Sequence, residues 1–207
     1  LVGSEMCIRD RCICLFNTDI NCSAKAIVLI QHHTFNFRIF FYNFLYTSII
    51  RGIIYDQDFL FCAFQVKDWN GDFSPWKSPA AFGDDDFKGN GPKTLQWLMN
   101  DLIPKLKADY GVDREIYLIG YSLAGLFALW TAYETDIFSA IASCSGSLWF
   151  EQWDEYVLHH QIKHESNIYL SLGGKEEKTK KAEEDGKSTE NGETLKNYDS
   201  EMNNAFN

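Results

Sequence analysis

The residues best placed to do chemistry lie in one stretch, Glu115 to Tyr133, with Ser122 at its centre. A serine hydroxyl is a weak nucleophile unless the chain holds it clear of its neighbours and a base takes its proton. The order Gly120-Tyr121-Ser122-Leu123-Ala124-Gly125 offers the first of these conditions. It follows a β-branched run, Ile116 to Ile119, and precedes an Ala/Leu/Trp run free of proline. That pattern predicts a buried strand, a tight turn and a buried helix. On such a turn the residues two before and two after the serine face each other, so both must be small. Gly120 and Ala124 meet that demand, although glycine at both places is the commoner choice. The turn would lift the Ser122 hydroxyl above the sheet and aim the Leu123 N–H at an oxygen under attack. The competing reading is a serine that merely caps a helix.

Other elements must hold this turn in place. Lys25 to Gln31 and Asp58 to Val66 read as buried parallel strands, as do Phe138 to Ser145 and Asn167 to Leu172. Five strands are therefore expected near residues 26–30, 59–66, 115–120, 137–144 and 168–172. Thr34 to Ile54 is expected to supply the first crossover helix. Pro92 to Tyr110 carries Leu95, Leu98, Met99, Leu102, Ile103, Leu106 and Tyr110 at helical spacing. Pro104 lies inside it and should kink it. Trp149 to His164 is also amphipathic and is expected to be helical over the pocket.

Between the second strand and that helix lies a long loop, Lys67 to Phe87. Asp68, Asn70 and Asp72 imitate the start of a calcium loop, but Phe73 and Pro79 occupy the positions that need Gly and Glu. Gly91-Pro92-Lys93-Thr94 likewise fails as a phosphate loop. The loop is expected to line a pocket at the carboxyl ends of the strands. No metal site and no cofactor is expected. Ser143, Ser145 and Ser147 read as small residues packing a sheet edge, since no apolar helix follows any of them directly.

Bulk properties narrow the function. The chain has 207 residues, 45% hydrophobic and 23% charged, with a formal net charge of −10. A chain of that length can form one packed domain. Its acidity argues against a nucleic-acid partner, which needs a basic face. No apolar run is long enough for a membrane-spanning helix, and no membrane partner is expected. Of six cysteines, Cys7, Cys12, Cys14 and Cys22 lie near the start without metal-ligand spacing, while Cys62 and Cys144 sit in apolar runs as buried thiols. These point to a reducing, cytoplasmic compartment. Residues 1–11 read as an adapter or cloning remnant and are left out of the fold argument. Residues 12–174 form the domain. From 175 to 207 the chain holds nine acidic and six basic residues with little apolar content, so this tail is expected to be disordered, or to form a frayed helix around Glu176 to Glu184.

Taken together, these strings resemble the α/β-hydrolase fold, and within it the putative esterase family that includes enterochelin esterases and esterase D. Four strings carry the resemblance: Lys67-Asp-Trp-Asn-Gly-Asp-Phe-Ser-Pro-Trp, Gly120-Tyr-Ser-Leu-Ala-Gly-Leu-Phe-Ala-Leu-Trp, Ser145-Gly-Ser-Leu-Trp-Phe, and Tyr169-Leu-Ser-Leu-Gly with Lys175-Glu-Glu-Lys-Thr. They cover about residues 56 to 180. The resemblance implies a mostly parallel sheet with flanking helices, incomplete at its C-terminal edge. It also implies hydrolysis of a small-molecule carboxylic ester, with Ser122 as nucleophile and Glu176, or Glu177, as the acid. Leu123 would supply one oxyanion N–H and the chain near Gln31 and His32 the other. Trp69, Asn70, Trp76 and Tyr121 would shape the substrate pocket. The histidines are His32, His33, His159, His160 and His164, and none follows Leu172, where the resemblance places the general base. The chain as written is therefore expected to be a poor esterase, from a truncated or mis-joined gene model. The alternative is an inactive relative that acts as a binding module.

Overall fold

The computed structural model describes residues 2–8, 11–17, 26–31, 59–81, 83–110, 115–163 and 166–172. The crossover helix expected at 34–54 and the tail from 175 lie outside these residues. Strands β1 (Val2–Ile8), β2 (Arg11–Asn17), β3 (Ala26–Gln31) and β4 (Phe59–Phe64) come first. A short helix α1 (Trp69–Asp72) and two short strands, β5 (Lys77–Ser78) and β6 (Phe87–Lys88), build the long loop. Helices α2 (Gly91–Trp97) and α3 (Ile103–Tyr110) follow, joined by a wider π-helical turn, Leu98–Leu102. Then come β7 (Glu115–Tyr121), α4 (Leu123–Glu134), β8 (Ala140–Cys144), α5 (Trp153–His159) and β9 (Asn167–Ser171).

The main sheet has the order β1-β2-β4-β3-β7-β8-β9. The five strands expected from sequence are all present, and from β4 to β9 every pairing is parallel. One rung across it joins Cys62, Leu29, Leu118, Ile141 and Ile168. All five are apolar, as expected of strands in a parallel sheet. Sequence reasoning left residues 1–11 out of the fold. The sheet instead includes Val2–Ile8 as an outer strand, antiparallel to β2, which in turn runs antiparallel to β4. Among the described residues, β9 pairs only with β8.

Helix α4 is buried from Leu123 to Tyr133. A helix that is apolar all round must lie inside the protein, and α4 packs on β7 and β8. Leu126, Phe127, Leu129 and Trp130 are each at most 4% exposed. Each such side chain contributes about 1.5–3 kcal/mol by leaving water. The helix over 91–110 shows how Pro104 is accommodated. A proline cannot donate to the carbonyl four residues back, and its ring clashes with it. Just before it, the Ile103 N–H donates to the Leu98 carbonyl, five residues back. This one wider turn lets the helix continue while Leu98, Leu102, Ile103 and Leu106 stay buried.

Phe73 anchors the long loop to the core. It is fully buried, with ring centroids of Trp69 and Phe127 each 5.3 Å away and Phe64 at 6.3 Å. Phe73→Ala should therefore lower stability by about 3–5 kcal/mol. Urea unfolding followed by tryptophan fluorescence checks this, and an unchanged midpoint would refute the anchoring role.

Candidate active site

Ser122 stands at the junction between β7 and α4 with φ 57° and ψ −124°. Only a strained turn puts a non-glycine residue there. Backbone bonds hold it. The Ser122 N–H donates to the Cys144 carbonyl at 3.0 Å. The Ser122 carbonyl accepts three N–H groups, from Gly125 (2.9 Å), Leu126 (3.1 Å) and Ser147 (3.0 Å). The first two are the opening bonds of α4, so Ser122 does cap the helix, but through its main chain. No side-chain cap bond is formed, and the hydroxyl is left for other uses.

The turn is tight enough to require Gly120. A Cβ placed there would lie 2.0 Å from the Ala124 carbonyl oxygen. On the other side, the chain after β8 closes against the turn. A Cβ on Gly125 would lie 3.0 Å from Gly146 Cα, and one on Gly146 would lie 2.3 Å from Ser143 Oγ. Ser143 itself is 1% exposed, and its hydroxyl has no hydrogen-bond partner among the described residues.

The Ser122 hydroxyl is half-buried, and its Oγ lies 3.3 Å from Ser147 Oγ. Ser147 is buried, and sequence reasoning placed it on a sheet edge as a packing residue. The available signal was its place in Ser145-Gly-Ser-Leu-Trp-Phe, three residues beyond a strand that neighbours the Ser122 strand. Leu123 is the first residue of α4. Its N–H belongs to the helix end whose donors lack intrahelical acceptors. The residue pair Ile30 and Ile119 is in register, so β3 ends at Gln31 beside the strand that carries Ser122. Gln31, the last residue of that strand, therefore lies at the same end of the sheet as the turn. His32, His33, His164, Glu176 and Glu177 lie outside the described residues.

The expected pocket residues part company. Tyr121 adjoins Ser122 and is 47% exposed. Trp69 packs edge-on against Phe73. The Asn70 amide donates to the Asp85 carbonyl at 3.2 Å, bracing the loop. Asp68, read as a failed calcium ligand, caps α1 by accepting the Gly71 N–H at 3.0 Å and pairs with Lys88. The Lys88 hydrogen bond holds its carboxyl below the usual range. Trp76 lines a groove of about 490 Å³ with Gln152, Glu155, Tyr156, His159 and His160. Its Nε1–H donates to the Glu151 carbonyl at 3.0 Å, and Ser78 donates to the Glu151 carboxylate at 2.6 Å. The helix expected over 149–164 is shorter, because Gln152 takes a left-handed φ of 64° before α5 begins at Trp153.

His159 and His160 are engaged locally. Each Nδ1 lies 2.8 Å from a backbone carbonyl, of Glu155 and Tyr156 respectively, so each carries its proton there. The His160 ring stacks on Tyr156 at 4.0 Å. Neither ring is hydrogen-bonded to Ser122.

A mostly parallel sheet flanked by helices, with a strained serine at a strand-to-helix turn, defines the α/β-hydrolase class of esterase structures. Comparison with known proteins narrows this. A family model described as Putative esterase matches residues 26–206, and the chain belongs to that family. The match extends beyond residues 56–180, where the sequence strings carried the resemblance. The Bacillus subtilis (strain 168) protein YbbA is 31% identical over 119 residues, which are 54% of this chain and 47% of YbbA. The matched stretch thus spans about half of that relative. An IroE-like serine hydrolase from Shewanella oneidensis superposes with a TM-score of 0.64 at 16% identity, over 82% of this chain and 59% of that one. The siderophore hydrolase EstA from Aspergillus nidulans gives 0.65 at 16% identity, over 95% and 74%. The enterobactin esterase FES from Shigella flexneri gives 0.55 at 15%, over 73% and 39%. At these identities the structural likeness establishes the fold. Among the described residues, no helix is long and apolar enough to cross a membrane.

Two outcomes follow from this geometry. Gly120→Ala should collapse the turn and cost about 3 kcal/mol, read as a lower urea midpoint; an unchanged midpoint would contradict the close approach. The second concerns Tyr156. Burial, and its bond to the Glu134 carboxylate at 2.7 Å, push its phenol well above the ordinary value of 10. The folded state holds this proton more tightly than the unfolded chain. The resulting stability is whole below about pH 10 and is lost as pH rises toward the folded pKa. Tyr156→Phe should therefore lower the urea midpoint at pH 8, with the gap narrowing by pH 11. A gap constant across that range would show that the phenol proton is not involved.

Proposed function

We propose that the chain is a serine hydrolase of the carboxylic-ester type, with Ser122 as nucleophile. The observation that carries this is the left-handed Ser122 at the head of a buried helix, its hydroxyl uncommitted to capping. In the proposed step Ser122 Oγ attacks the ester carbonyl carbon and loses its proton. The Leu123 N–H, with a second N–H from the chain following Gln31, receives the charge on the carbonyl oxygen. The intermediate collapses by breaking the bond between the acyl carbon and the alkoxy oxygen, the alcohol leaves carrying the proton that Ser122 lost, and water later cleaves the acyl-serine to free the carboxylic acid and restore the hydroxyl. Glu176 is assigned as the acid by family resemblance, and the substrate is a small-molecule ester. The fold neighbours include a siderophore hydrolase from Aspergillus nidulans, which makes siderophore esters worth assaying beside p-nitrophenyl acetate.

One observation favours a second reading. The hydrogen-bond partner of Ser122 Oγ among the described residues is a hydroxyl, not an imidazole. Without a base, turnover by the 207-residue chain would fall on the order of 10⁴–10⁶. A binding module on a hydrolase fold would carry the same strand, turn and helix.

A fluorophosphonate probe separates the two, since its adduct accumulates even on a slow serine. The esterase reading expects labelling that Ser122→Ala abolishes. It also expects about 10²–10³-fold slower labelling in Leu123→Pro, at a helix position where proline is tolerated. Absence of labelling in the unaltered chain would leave the binding-module reading.

A further inference from the structure

The serine next to the proposed nucleophile has a place of its own in the site. Ser147 is 3% exposed, and a buried hydroxyl needs a partner. Its partner among the described residues is Ser122 Oγ, at 3.3 Å. Ser147 also donates its backbone N–H to the Ser122 carbonyl at 3.0 Å. One residue thus grips Ser122 at both its main chain and its side chain. The grip is rigid because the segment carrying it is tied down on every side. The Ser122 N–H is bonded to the Cys144 carbonyl, and the Ser145 N–H donates to the Ser171 carbonyl at 2.6 Å. Ser145 takes a left-handed φ of 45°, and Gly146 is pressed against Gly125. Phe150 then closes the turn, its N–H donating to the Ser147 carbonyl at 3.1 Å.

We infer that Ser147 is a positioning residue for the acylation step proposed above: its hydroxyl holds the Ser122 side chain in the rotamer that faces the ester. A serine side chain has three staggered wells and little to choose between them when free. A hydroxyl partner held by a fixed backbone selects one. No bond to substrate is required of Ser147. This inference rests on the esterase reading.

The backbone contact and the side-chain contact can be separated. Ser147→Ala keeps the N–H bond to Ser122 and removes only the hydroxyl. Ser147→Thr restores a hydroxyl at the same place. Ser143→Ala removes the other buried hydroxyl nearby, one with no partner among the described residues, and serves as the control. Fluorophosphonate labelling rates are measured for all of these with Ser122→Ala as blank, alongside urea midpoints. The expected result is a fall of about 2- to 10-fold in Ser147→Ala, the range of one ordinary hydrogen bond. Recovery in Ser147→Thr and an unchanged rate in Ser143→Ala complete it. Equal rates in Ser147→Ala and the unaltered chain would overturn the inference and leave the esterase reading standing. So would a loss that Ser147→Thr does not recover. No labelling of the unaltered chain overturns both.

Discussion

The backbone of Ser122 is the constraint on which the rest of this structure turns. Its left-handed conformation costs of order 1–3 kcal/mol. It persists because its carbonyl is held by three N–H donors and its own N–H by the Cys144 carbonyl. Two of the donors come from the next turn of chain. The third comes from Ser147, 25 residues on, so the strained residue is over-determined by an element other than its own. Gly120 is required because the Ala124 carbonyl occupies the space a side chain would need. The buried helix α4 then fixes the direction in which the turn can open. Strain, close approach and buried helix form one unit, and that unit presents a hydroxyl at the strand end.

A second unit shapes the surroundings. The long segment after β4 has few regular elements, yet it is held at several points. Phe73 enters the core, Asp68 caps α1 and pairs with Lys88, and Trp76 and Ser78 bond to Glu151. Glu151 lies just past Phe150, whose ring meets Phe87 at 4.9 Å and Trp76 at 5.6 Å. The segment that grips Ser122 through Ser147 therefore continues directly into the residues that pin the loop. The loop and the Ser122 turn are linked over three residues of chain. This gives the string Ser145-Gly-Ser-Leu-Trp-Phe a physical reason beyond resemblance. Its glycine permits the close approach, its second serine touches Ser122, and its aromatics hold the loop.

What the sequence alone determined is what local chemistry encodes. The five parallel strands were legible because β-branched and aromatic runs between turn residues have few other uses. The junction at Ser122 was legible because small residues at 120 and 124 are needed only where chain segments nearly touch. The helical period from Leu95 to Tyr110 was legible too, as was an interruption by Pro104. That it takes the form of a wider π turn depends on which side chains must stay buried. The tertiary structure decided the strand order and the addition of β1 and β2 to the sheet. It also sent Trp76 to a groove beside α5 and spent Asp68 on a cap and an ion pair. Above all it brought Ser147 to Ser122. Hydrophobic period and turn chemistry act over a few residues, so sequence displays them. Contacts between segments 25 or more residues apart depend on how strands stack side by side, and no local pattern in the chain records that.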